Sequence, residues 1–152
     1  MTLKIPPILV FLSVFCTAGF AQEKQAQPFK PPVVKTSLGK SGSISTTTPD
    51  QAKALISLPL IVTDNSNTSY AIESYQFLYK KKSVIEDQKT GRKATTFSQV
   101  ADLFKTTPLP QSWVNNISGN LQKDEELSFF DIVVKDEKGR KFFAPDLRIK
   151  IQ

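Results

Sequence analysis

The stretch Glu126-Leu127-Ser128-Phe129-Phe130-Asp131-Ile132-Val133-Val134, then Asp136-Glu137-Lys138-Gly139, Arg140 to Phe143, Pro145 and Leu147-Arg148-Ile149-Lys150-Ile151, decides the fold. The closing pentapeptide alternates strictly. Side chains alternate across a strand, so Leu147, Ile149 and Ile151 are expected on a core face, with Arg148 and Lys150 in solvent. The segment from Glu126 to Val134 is rich in Phe and β-branched residues, which suit a pleated surface. Between the runs, Gly139 can take the positive φ that a tight turn needs.

Working outward, Thr68 to Tyr79 carries the longest strand signal. Tyr75, Phe77 and Tyr79 share one face; Ser74, Gln76 and Lys80 share the other. Lys82 to Asp87 extends it, and Thr90-Gly91 is a hairpin-type turn leading to Arg92 to Phe97. Asp64 to Asn67 is a turn cluster. Ile56 to Val62 contains Pro59 and therefore reads as an edge strand. Asp50 is placed to cap a helical turn over Gln51 to Leu55. In the middle, Val100, Ala101, Leu103 and Phe104 are spaced for a short amphipathic helix over Ser98 to Phe104. Trp113, Val114 and Ile117 fit a second short helix or an irregular loop over 111–118, with Gly119 available to end it. The expected class is mainly β: an antiparallel, Ig-like β-sandwich over 50–152 with one or two short helices in the middle.

The N-terminal third differs. Lys4, the apolar run Ile8 to Phe15, and the small residues Ala18-Gly19-Phe20-Ala21 have the layout of a cleavable signal peptide over 1–21. The run is too short for a spanning helix, which takes about 20 apolar residues, so no membrane span is expected in the mature chain. Gln22 to Pro49 is rich in Pro, Ser and Thr and reads as a flexible linker, with Val33-Val34 its sole apolar pair, able to dock as a short edge strand. The implied location is the periplasm or surface of a bacterium, since the processed chain keeps no cysteine for disulfides.

Composition narrows the chemistry. There is no histidine, and the single cysteine, Cys16, lies in the leader. Ser-His-Asp and Cys-His catalysis are thereby excluded, as are ordinary zinc and copper sites. The glycines are isolated, so no phosphate loop is present. The formal charge of +6 is spread among acids rather than gathered in a stripe, which disfavours nucleic acid. Lys80-Lys81-Lys82 is the one local run and reads as a solvated strand end. Among the acids, Glu73 and Asp131 stand out because they interrupt strand-like runs. With Asp64, Asp102 and Asp146 they are the candidates for a glycosidase pair, against the simpler reading that Glu73 and Asp131 face outward or that one meets a lysine. Asp64 to Asn67 could offer oxygens to calcium, but lacks EF-hand spacing and reads as a plain turn. Trp113, Tyr75, Tyr79 and Phe143 are the candidate partner-contact residues. Phe142 and Phe143 are adjacent, so one of them must leave the core face, and Trp113 sits beside prolines.

Ile61-Val62-Thr63-Asp64, Tyr70 to Phe77, Phe130 to Val134, the turn Asp136 to Arg140 and Ala144 to Ile151 resemble the C-terminal periplasmic domain of the GldM family. That family serves gliding motility and type IX secretion in Bacteroidota. The resemblance implies an Ig-like periplasmic domain that assembles with other envelope components. It covers strand and turn patterns from Ile61 to Ile151, without the family's membrane anchor or helical domain. The expectation is an exported, non-catalytic β-domain, without cofactor, that binds another cell-envelope protein. The alternative is a carbohydrate-binding module or a carboxylate-dependent glycan hydrolase, with a glycan as ligand.

Overall fold

The structure, a computed structural model, describes residues 28–40, 42 and 44–152. The expected signal peptide and residues 22–27 lie outside the described residues. The chain divides into two compact units, 1–30 and 31–152, and the second holds every described element.

These are β1 (Val34–Leu38), β2 (Thr46–Thr47), α1 (Pro49–Leu55), β3 (Leu60–Asp64), β4 (Ser69–Glu86), β5 (Lys93–Phe104), α2 (Gln111–Ser118), β6 (Glu126–Lys135), β7 (Lys141–Ala144) and β8 (Leu147–Ile151). The strands run in the order β1-β3-β4-β6-β8-β2, with β5 also on β4 and β7 also on β6. Every pairing is antiparallel except that of β2 with β8. The fold is mainly β and sandwich-like, but its faces belong to one sheet curled into a half-barrel.

Two facing bulges produce the curl. Between Ile72 and Ser74 the register gains one residue on β4; between Ser74 and Gln76 it gains one on β6. The extra residues are Glu73 and Asp131, the latter in the left-handed region at φ 49. A bulge bends its strand and exchanges the faces of the residues beyond it. Accordingly β6 buries Leu127 and Phe129, then Ile132 and Val134, while β4 buries Tyr75, Phe77 and Tyr79 only after its bulge. The curl brings β1 to β7, and the Thr36 hydroxyl donates to the Pro145 carbonyl at 2.7 Å.

The core is largely aromatic. Phe77 and Phe129 lie 4.9 Å apart between centroids, with Tyr75 and Phe104 stacked beside them. Leu147, Ile149 and Ile151 are buried and Arg148 and Lys150 are exposed, as the alternation requires. Burying one such side chain is worth about 1.5–3 kcal/mol.

Several expectations are corrected. Ser98 to Phe104 is not a helix but the second half of β5. Most of β5 is exposed on both faces, so no hydrophobic alternation marks it as a strand. The expected linker contains two strands: β1 pairs with β3 from Val34 to Leu38, and β2 with β8. Its low apolar content misleads because Thr36 and Thr47 are buried polar residues with hydrogen bonds. β3 is not an edge, since β1 covers it; Pro59 sits just before the strand, where its carbonyl accepts from Gly39 at 2.8 Å. α1 is capped by Thr48 in a reciprocal box with Gln51, because Pro49 takes the first helical position, leaving Asp50 in the first turn. The open alternative at 111–118 resolves as a helix that ends at Gly119.

Candidate functional site

The β4–β5 ribbon is the most unusual surface of the described fold. Its strands pair without interruption from Tyr75↔Phe104 to Glu86↔Lys93, a twelve-residue register. Asp87 holds the connecting turn: its Oδ1 accepts from the Lys89 and Thr90 amides, and Gly91 takes φ 66. Beyond Lys80 the ribbon outruns β6, whose register with β4 ends at Lys80↔Glu126. The consequence is exposed apolar surface. Phe97 is 42 % exposed, Val100 50 % and Leu103 56 %, and Val84 and Ile85 are also open. The Lys80 ammonium lies 4.8 Å from the Phe97 ring centroid.

α2 lies against the inner side of this ribbon. Trp113 meets Phe77 and Phe104 edge-on, at 5.7 and 5.5 Å between centroids. Val114 and Ile117 are buried beneath it. Between α2 and β5 a cleft of about 230 Å³ is lined by Tyr79, Val100, Ser112, Trp113, Asn116 and Ile117.

A buried acid anchors the base of the ribbon. Glu125 is 0 % exposed. Its Oε2 accepts from the Tyr79 hydroxyl at 2.6 Å and the Gln122 amide at 2.9 Å; its Oε1 accepts from the Lys82 amide at 2.9 Å. Next to it, Asp124 pairs with the Lys82 ammonium at 2.8 Å. Burial, and then the bond to Glu125, push the Tyr79 phenol well above the usual tyrosine range. Burial raises Tyr75 to about 12, and its hydroxyl donates to the Thr106 carbonyl.

Of the four expected contact residues, Tyr75 and Tyr79 are corrected to core: both rings are buried and both hydroxyls are bonded internally. Trp113 is half-buried, with its ring edge-on to the core and a side on the cleft. Phe143 is 70 % exposed on β7, away from the ribbon's register. Sequence reasoning does not single out Phe97, Val100, Leu103 or Glu125 for a site. The only sequence signal of the three apolar residues is that they fall on both parities of a segment flanked by lysines.

The two acids inside strands are the bulge residues. Glu73 bridges Lys135 at 2.5 Å and Lys141 at 2.7 Å, which together hold its carboxyl down at about 2. Asp131 accepts from the Gln76 amide group at 2.7 Å. Asp64 is a turn residue: it accepts from the Thr68 and Ser66 amides and the Tyr70 hydroxyl, bonds that lower its pKa. Among the described residues no group of three or more His, Cys, Asp or Glu could hold a metal ion, and no helix is long and apolar enough to cross a membrane.

No family model matches the chain, and no curated protein matches it.

Proposed function

We propose that this chain is an exported, non-catalytic β-domain that binds another protein of the bacterial cell envelope, in the manner of an accessory component of a secretion or gliding machinery. The observation that carries the binding reading is the ribbon: Phe97 and Leu103 lie open on one face of β5, and Val100 lies open on the other, where it lines the Trp113 cleft. Apolar groups gathered on an extended strand mark a contact surface, because water alone is an unfavourable neighbour for them. The non-catalytic part is supported by the use already made of the candidate pair: Glu73 is held by Lys135 and Lys141, and Asp131 accepts from Gln76. The envelope location and the link to secretion or gliding rest on the leader-like N-terminus and the GldM-like strand and turn patterns. A glycan platform is less well supported: Tyr75 and Tyr79 lie in the core, and Trp113 is turned edge-on to Phe77 and Phe104.

Affinity capture from bacterial envelope extracts tests the reading. The wild-type chain should retain a discrete protein that the double variant Phe97→Ser, Leu103→Ser loses while keeping its circular dichroism. Equal retention by both, or retention of nothing, contradicts it.

A further inference from the structure

The ribbon offers main-chain chemistry as well as apolar surface. β5 pairs with β4 on one side, and among the described residues no strand pairs with its other side. The direction of its polar groups is set by the turn. Asp87 donates its amide to Arg92 at 2.9 Å, so these two form a hydrogen-bonded pair, and such pairs alternate along an antiparallel ladder. The register has no slip from there to Tyr75↔Phe104. Ala94, Thr96, Ser98, Val100, Asp102 and Phe104 therefore bond to β4. Thr95, Phe97, Gln99, Ala101 and Leu103 turn their amides and carbonyls outward. The Leu103 amide agrees with this parity: it bonds the Asp102 carboxylate at 2.8 Å rather than β4.

Charge selects what can use this edge. Between Lys80 and Lys105 there are seven lysines and arginines against three acids, a formal +4 of the whole chain's +6. A second copy would set one cationic ribbon beside another, and like charges across a strand pair are unfavourable. An acidic strand meets the opposite field.

Resting on the protein-binding reading above, we infer that the free edge of β5 receives an extended acidic segment of a partner protein as an added strand. The outward amides and carbonyls of 95–103 supply the ladder. The side chains on the partner's inner face reach the cleft between Val100 and Trp113, where an apolar residue fits. Main-chain bonds then give affinity, and the cleft and the lysines give selectivity.

The test uses the full chain and a phage-displayed library of random 12-residue peptides. The enriched peptides should be acidic, with an apolar residue and without a central proline. Saturation with a synthetic copy of one should slow amide exchange at Thr95, Phe97, Gln99 and Ala101 at least tenfold, measured by NMR. Ser98, Val100 and Asp102, already in the ladder, should change little. Ala101→Pro removes one outward donor without touching the β4 ladder and should weaken binding at least tenfold; raising the salt to 0.5 M should weaken it too. If that variant does not fold, the exchange pattern of the wild type decides. No enrichment, neutral or basic winners, protection without alternation, or a β5-mediated dimer overturns the inference. A native partner held equally by wild type and Ala101→Pro, but lost by the Phe97/Leu103 variant, leaves the binding reading standing and removes only the added strand.

Discussion

Replacing Glu125 by alanine takes away the acceptor of three donors at once. The Tyr79 hydroxyl lies at 2.6 Å in a fully buried position, and the Lys82 and Gln122 amides lie at 2.9 Å in partly buried ones. A buried donor left unsatisfied costs about 1–3 kcal/mol. Water reaches the two amides, so each belongs near 1; the phenol belongs near 2. The sum is about 4 kcal/mol. It is a large fraction of the ~5–15 kcal/mol that holds a domain together. Glu125→Gln keeps the shape but turns its amide nitrogen toward a backbone N–H in either orientation, at a cost of about 2 kcal/mol. Tyr79→Phe removes one donor and leaves the carboxylate two, at a cost of about 1–2 kcal/mol. Urea unfolding followed by fluorescence of the sole tryptophan, Trp113, measures all three, because its ring rests on Phe77 in the same core. The order Ala, then Gln, then the Tyr79 variant is required. A loss below about 1 kcal/mol for Glu125→Ala, or equal losses for Ala and Gln, would refute the reasoning.

The geometry also dictates how the fold answers pH and a change at the bulge. Glu73 has a folded pKa of about 2 against an ordinary 4.5, so its contribution is complete above pH 4.5 and disappears as the pH falls toward 2. Urea midpoints across that window should fall less steeply for Glu73→Gln than for the wild type; identical slopes would contradict the Lys135 and Lys141 pairing. All three tyrosines are raised by burial, Tyr70 and Tyr79 further by Asp64 and Glu125. Their protonated forms support the fold below pH 10, and that support fades as the pH climbs through the raised values. Absorbance at 295 nm should show less phenolate at pH 10 than three free tyrosines would give while the fold persists; an ordinary titration of all three would contradict this. Asp131→Val forces a β-branched residue into φ 49 and should cost about 1–2 kcal/mol, whereas Asp131→Gly should be close to neutral. Equal thermal midpoints for the two would deny the bulge its role.

The β elements that were legible in sequence are those with one wet and one dry face. Leu147 to Ile151 and Tyr75 to Tyr79 show their burial as simple alternation. β5 does not, because a ribbon with solvent on both sides has no such pattern, and its Val100, Ala101, Leu103 and Phe104 imitate a helical spacing instead. Only the start of β1, at Val34, is legible as an edge strand; the rest of β1 and β2 are hidden for the opposite reason, since they bury threonines, whose hydroxyls are satisfied by side-chain or distant main-chain partners, Pro145 for Thr36. The candidate site was legible only in part. Trp113 and the lysine run were conspicuous. Glu125 was one of three consecutive acids, and its bonded partners Tyr79 and Lys82 lie 46 and 43 residues away, where no local pattern reaches. Glu73 and Asp131 stand out in the sequence as acids within strands. That oddity marks the bulges that curl the sheet, and the same bend turns Tyr75 and Tyr79 inward.

On the proposed reading, the β4–β5 ribbon is the surface through which this chain binds a protein of the envelope. It is tested most directly by a photoreactive residue at Leu103 in living cells, with a control at Lys138, followed by mass spectrometry. The expected result is a crosslink to one envelope protein from Leu103 and none from Lys138. Crosslinks of equal yield from both sites, or none from Leu103 with the folded protein present, would contradict it.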